Sequence, residues 1–163
     1  MSSEKSSRLI TKIKAKRADN EEILIGYDVF CDRAKDGFFS SIFKCKEEPA
    51  SQFYDKLDAF LPYLMEFMGL NADIWKKGAI CGVNFKYLGE DDDDDNQMIM
   101  TISGKCEIHS SYACLTCPSF PITPKMQNLV NDLTKEAIAY LDGARRQQAL
   151  QFSIPEIRKL EVV

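Results

Sequence analysis

The sequence predicts an α+β fold: an antiparallel sheet of about five to six strands with two amphipathic helices on one face. Three observations predict it. Residues 8–46 alternate apolar and polar with period two, and after Pro49 the apolar spacing changes to three and four. The same succession then repeats, with alternation over 79–120 and a helical stripe from Thr123 onward. The order is therefore βββ-α-βββ-α, and packing both helices on one sheet face lets every apolar stripe find a partner. With 163 residues the chain is long enough for one sizeable core. We expect a flexible N-terminus over 1–7, a single α+β domain over 8–146 and a C-terminal tail over 147–163.

The elements follow in order. Over 8–18, Leu9, Thr11, Ile13 and Ala15 alternate with Ile10, Lys12, Lys14 and Lys16, which reads as a strand with one wet face. Asp19-Asn20 is a turn signal, 22–30 is a second strand, Asp36-Gly37 turns again, and 38–46 is a third. Over 51–68, Phe53, Leu57, Phe60, Leu61, Leu64, Phe67 and Met68 form a helical stripe closed by Gly69. Pro62 removes a backbone donor, so it should kink that helix or split it. Residues 71–77 read as a linking turn with Trp75 as a packing anchor. Strands 79–88 and 97–108 form a hairpin, the first placing Cys81, Val83, Phe85 and Tyr87 on one side. Residues 112–120 read as an edge strand, because Pro118 cannot donate to a central ladder. Thr123-Pro124 starts the last helix as N-cap and first helical residue, and Gly143 weakens or ends it. No internal repeat emerges from residue-by-residue comparison.

Composition narrows the function classes. Hydrophobic residues make up 45% and charged residues 28%, which is ordinary for a folded protein. The formal net charge of −4 lacks the footprint of a general DNA binder. No run approaches a membrane span, and the basic N-terminus has no apolar stretch behind it, so the expected location is the cytoplasm. The six cysteines are then expected to be reduced thiols. Nucleotide-binding motifs of the G-x-x-x-x-G-K-[ST] and G-x-G-x-x-G types are absent. No catalytic constellation appears and no cofactor is implied, so the expected activity is binding.

Four features bear on what is bound. Cys106, His109, Cys114 and Cys117 supply the ligand types zinc prefers, within twelve residues. Extended backbone, however, would point Cys114 and Cys117 to opposite faces. The sharper expectation is no metal, with a zinc module as an alternative. Asp91, Asp92, Asp93, Asp94 and Asp95 are consecutive, unlike the alternate acids and glycine of a calcium loop. They read as a solvated hairpin tip, with an acidic inhibitor of a host defence or DNA-processing protein as the rival reading. Lys12, Lys14, Lys16 and Arg17 form a basic strip on the first strand with no aromatic residue among them. That strip admits nucleic acid without indicating it. Finally Gln147, Leu150 and Phe152 fit the pattern Q-x-x-L-x-[LF]. Leucine and phenylalanine would fill an apolar groove while glutamine fixes register.

That pattern resembles the hexapeptide with which bacterial and phage proteins dock on the replicative sliding clamp. The chain also resembles a group of small, uncharacterised proteins encoded by tailed bacteriophages among their replication and recombination genes. The matching pieces are Leu9-Ile10-Thr11-Lys12-Ile13-Lys14, Phe53-Tyr54-Asp55-Lys56-Leu57 with Leu61-Pro62, Gly82-Val83-Asn84-Phe85-Lys86-Tyr87, and Tyr140-Leu141-Asp142-Gly143-Ala144-Arg145-Arg146-Gln147. The chain departs from the group in an apparent insertion over 27–46, in its cysteines and in the eleven residues after Phe152. The resemblance implies a phage protein without enzyme activity, acting in the host cytoplasm and tethered to a clamp. Neither the assembly state nor the work of the folded body is implied; strands such as 97–102 could equally pair across a dimer.

Overall fold

The computed structural model describes residues 8–17, 20–30, 33, 37–71, 75–88 and 97–145. They form a seven-stranded antiparallel sheet with helices on one face, as the α+β reading expects. The strands are β1 (Arg8–Lys16), β2 (Glu22–Phe30), β3 (Phe38–Cys45), β4 (Trp75–Leu88), β5 (Gln97–Ile108), β6 (Ser111–Thr116) and β7 (Phe120–Pro121). The helices are α1 (Ser51–Asp58), α2 (Leu61–Phe67) and α3 (Pro124–Leu141). Spatial order is β3-β2-β1-β4-β5-β6, and β7 pairs with β5 beyond β6.

The first two strands of each half carry the predicted alternation, modified by three register slips, one of them at the start of β4 between Trp75 and Gly78. In β1 the register slips between Ile10 and Lys12, leaving Thr11 as the extra residue. Ile10 consequently joins Ile13 and Ala15 in the core, while Leu9 falls on the face of Lys12, Lys14 and Lys16. This corrects the expected grouping of Leu9 and Thr11 with Ile13. A second slip, between Ile80 and Gly82, puts Ile80 in the core and leaves Cys81 half-exposed. β4 also begins at Trp75 rather than after a linking turn; the packing expected of the Trp75 side chain lies outside the described residues. The expected edge strand over 112–120 is broken into β6 and β7, both on the outer edge of β5. Three residues from Thr116 to Phe120 intervene where the partner strand has two, and Pro118 sits in that gap.

The helix predicted over 51–68 is split, with Ala59 and Phe60 forming the turn between α1 and α2. Pro62 takes the second position of α2, where no intrahelical donor is required. The break rotates the stripe, so Met65 is buried while Phe67 stays half-exposed against Phe120, ring centroids 4.5 Å apart. α2 sits close on the sheet because Gly78 and Gly104 leave a notch for Leu61 and Leu64. A Cβ at Gly104 would lie 2.7 Å from Leu64 Cδ2 and 2.8 Å from the Ala79 carbonyl oxygen. α3 starts at Pro124 as expected, although the Thr123 hydroxyl makes no capping bond. It buries Met126, Val130, Leu133, Ala137 and Tyr140.

The helices cross over between halves. α1 and α2, which follow β3, pack over β4 and β5, whereas α3, which follows β7, packs over β1 and α1. Tyr140 of α3 reaches β3, meeting Phe43 edge-on at 6.0 Å, and Arg8 of β1 pairs with Asp142 at 2.9 Å. Both helical layers lie on the same side; the opposite sheet face carries no helix among the described residues.

Candidate functional site

The candidate docking residues Gln147, Leu150 and Phe152 lie outside the described residues, but the chain leading into them is well defined. α3 stops at Leu141, and Gly143 adopts a left-handed φ of 110°, which glycine accepts without penalty. The amide of Gly143 donates to the Tyr140 carbonyl at 3.1 Å, and that of Ala144 to the Ala139 carbonyl at 2.9 Å. Arg145 then folds back on the helix end. Its Nη1 donates to the carbonyls of Tyr140 and Ala144 at 2.6 and 2.8 Å, and its Nε to the Glu47 carboxylate at 2.8 Å. Its guanidinium stacks 3.5 Å above the Tyr140 ring. The Tyr140 hydroxyl in turn donates to the Glu47 carbonyl at 2.6 Å. Glu47 follows β3, so these contacts tie the helix end to the sheet edge. The α3 stripe does not run on through 142–145, and Gln147 stands two residues beyond the last anchor.

The cysteine and histidine set is not brought together. Cys106 faces the helices and is buried, whereas Cys114 opposes Lys105 on the other face and is exposed. His109 sits in the β5–β6 turn with φ 57°. Cys117 is buried at the break between β6 and β7, where its Sγ accepts the Ile102 N–H at 3.3 Å. Burial pushes the Cys106 thiol up from its ordinary pKa, which disfavours the thiolate a metal would need. Among the described residues no three of His, Cys, Asp or Glu gather as a ligand set. The five described cysteines are free thiols.

Asp91, Asp92, Asp93, Asp94 and Asp95 lie outside the described residues. The strands that carry them are paired up to Leu88 and Gln97, which fits the expected hairpin.

The basic strip is not one strip. Lys12, Lys14 and Lys16 share the helix-free face, but Arg17 turns to the helix side. There it makes a two-pronged pair with Asp58 at 2.8 and 2.7 Å, and its guanidinium lies 4.3 Å above the Tyr54 ring. Asp58 Oδ1 also accepts the Ile80 N–H at 3.0 Å, beside the β4 irregularity. The Tyr54 hydroxyl donates to Glu21. This cluster fastens α1 to β1 and β4. Sequence reading placed Arg17 with the lysines because the alternation carries no mark of where β1 ends.

The same reading found no aromatic residues near the lysines. Register supplies them from elsewhere: Phe30 and Phe38, cross-strand partners on β2 and β3, and Tyr112 on β6 lie on the helix-free face and are exposed. Only strand pairing brings them there, so no local signal could have found them.

No family model, no curated protein and no solved structure matched the chain at the significance required. No helix of the described residues is long and apolar enough to cross a membrane.

Proposed function

We propose that this is a non-enzymatic phage accessory protein of DNA replication or recombination, docking on a sliding clamp through Gln147, Leu150 and Phe152. The observation that carries the reading is the anchored stop of α3. Had the helix continued, Leu150 would have been its last core residue. Instead Gly143 breaks the helix and Arg145 is clamped to Tyr140 and Glu47, so the docking residues follow from a fixed root on the body. A short peptide rooted in this way reaches a partner groove without disturbing the fold. Leu150 and Phe152 would each contribute about 1.5–3 kcal/mol if fully enclosed, and Gln147 would orient them.

The test is calorimetric titration of a bacterial sliding clamp with the full chain and with Leu150→Ala/Phe152→Ala. The parent should bind, and the double variant should lose that binding while keeping its folded circular dichroism spectrum. Equal binding by both, or none by the parent, removes the reading.

A further inference from the structure

The helix-free sheet face is lysine-rich, with Leu9, Leu24, Ile42 and Ile99 interspersed, although the chain as a whole is acidic. Lys12, Lys14 and Lys16 on β1, Lys44 on β3, Lys86 on β4 and Lys105 on β5 all project from it. The carboxylates on the same strand positions are Glu22, Asp28 and Glu107. Asp28 is already engaged, accepting the Ser40 hydroxyl at 2.7 Å. Among the described residues none of the six lysines is in an ion pair. A net charge of −4 therefore hides a local surplus of positive charge.

The floor of this face is as distinctive as its charge. Gly26 lies beside Lys12 and Gly82 beside Lys14, so each of the two central lysines is bare on one side, with Asn84 beside Lys12 and Leu24 beside Lys14 on the other. A Cβ at Gly82 would sit 3.0 Å from the Ile13 carbonyl and 3.3 Å from Lys14 Cγ. Glycine within a strand often marks a place where another chain approaches the backbone. Toward β5 and β6 the rows running from these lysines are small and hydrogen-bonding, Asn84 and Thr101 beyond Lys12 and Ser103 and Thr116 beyond Lys14; toward β3 they carry Ile42 beyond Gly26, and Leu24 and Lys44 beyond Lys14. Exposed aromatics flank this zone, Phe30 and Phe38 at one side and Tyr112 at the other, 61%, 39% and 75% exposed.

Those features select a partner class. Protein interfaces are depleted in lysine at their centre, which is where this face concentrates it. A membrane surface would want a continuous apolar stripe there, whereas Leu24 and Ile42 share their rows with lysines, Asn84, Thr101, Ser103 and Thr116. A flat sheet offers no projecting element for the major groove of a duplex. A polyanion with stackable faces meets all the terms: lysines for phosphates, hydroxyls and amide for sugar and base edges, phenyl rings for bases. We propose that this face binds single-stranded nucleic acid, with Lys12, Lys14 and Lys86 on phosphates and Phe30 and Phe38 stacking bases. The proposal does not use the tail and stands whether or not a clamp is bound.

The test is fluorescence anisotropy of a labelled oligodeoxythymidylate of about 20 nucleotides, titrated with the full chain at several salt concentrations. Binding should weaken linearly in log–log form as salt rises. Lys12→Gln/Lys14→Gln/Lys86→Gln should lower affinity at least about tenfold and reduce the salt slope by about 2. Phe30→Ala/Phe38→Ala should lower affinity about fivefold or more and leave that slope unchanged, because stacking releases no ions. Lys125→Gln/Lys135→Gln on α3 should bind like the parent. The proposal is overturned if the parent does not bind, if the face variants bind like the parent, or if a duplex of equal length binds as tightly. It is equally overturned if sedimentation shows the face occupied by a second copy, with the lysine variants shifting a monomer–dimer equilibrium.

Discussion

Cys117 does the work of a ladder carbonyl. Its Sγ takes the Ile102 N–H at 3.3 Å while its own N–H donates to the Ile102 carbonyl at 3.0 Å. This closes the gap that Pro118 opens in the edge strand. Cys117→Ala should leave a buried donor unpaired and lower the unfolding free energy by about 1–3 kcal/mol, measured by urea titration. Tyrosine hydroxyls play the converse part, donating to carbonyls and to a carboxylate. Burial, with the charge of Asp28, pushes the Tyr87 phenol up to about 12; its hydroxyl donates to the Ile10 carbonyl. Burial raises Tyr54 and Tyr140 further, aided at Tyr54 by its hydrogen bond to Glu21. A raised folded-state pKa means that the neutral phenol is the form the fold favours. The stabilisation is complete below the ordinary value of about 10 and is lost as pH climbs through about 12. Urea stability measured across that window should fall, and Tyr87→Phe should flatten part of the fall.

At the scale of elements, close approach of α2 to the sheet depends on two missing side chains. The neighbour of Gly104 that cannot give way is the backbone oxygen of Ala79, at 2.8 Å from an added Cβ. Gly104→Ala should therefore lower the unfolding free energy by about 1–3 kcal/mol, with the loss read as an earlier denaturant midpoint. Asp58→Ala should cost about 1–3 kcal/mol in the same assay, since it frees Arg17 and the Ile80 N–H together. These elements were unevenly legible in the sequence. α3 could be read end to end, because Thr123-Pro124 and Gly143 bracket a regular stripe. The split between α1 and α2 was announced by Pro62, although the break falls two residues earlier. The strand irregularities were not legible. An extra residue at Thr11 or Cys81 flips the faces on either side without changing residue type, so apolar Ile10 was read with the lysines. The helix-free face was legible only in its β1 lysines, because its other members come from strands distant in sequence and meet through register alone.

The described fold is a run of three strands and a run of four joined at β1 and β4, each roofed by helices that belong to the other run. Neither half contains the cover for its own sheet. Fragments spanning residues 1–71 and 72–163 should each lack cooperative unfolding alone and regain it on mixing, as followed by circular dichroism. A two-faced sheet also separates roles: one face is closed by helices, the other is open and lysine-rich, and the tail root lies at the β3 edge. The crossed roof has a bearing on how the protein is made. β1 leaves the ribosome before every helix, yet the helix that shelters it is complete only when residue 141 has been added. At ordinary elongation speeds that wait lasts about 6 to 25 seconds. For that time Ile10, Ile13, Ile23 and Ile25 have no permanent shelter, so a nascent chain halted before α3 is a natural client for holdase chaperones and proteases.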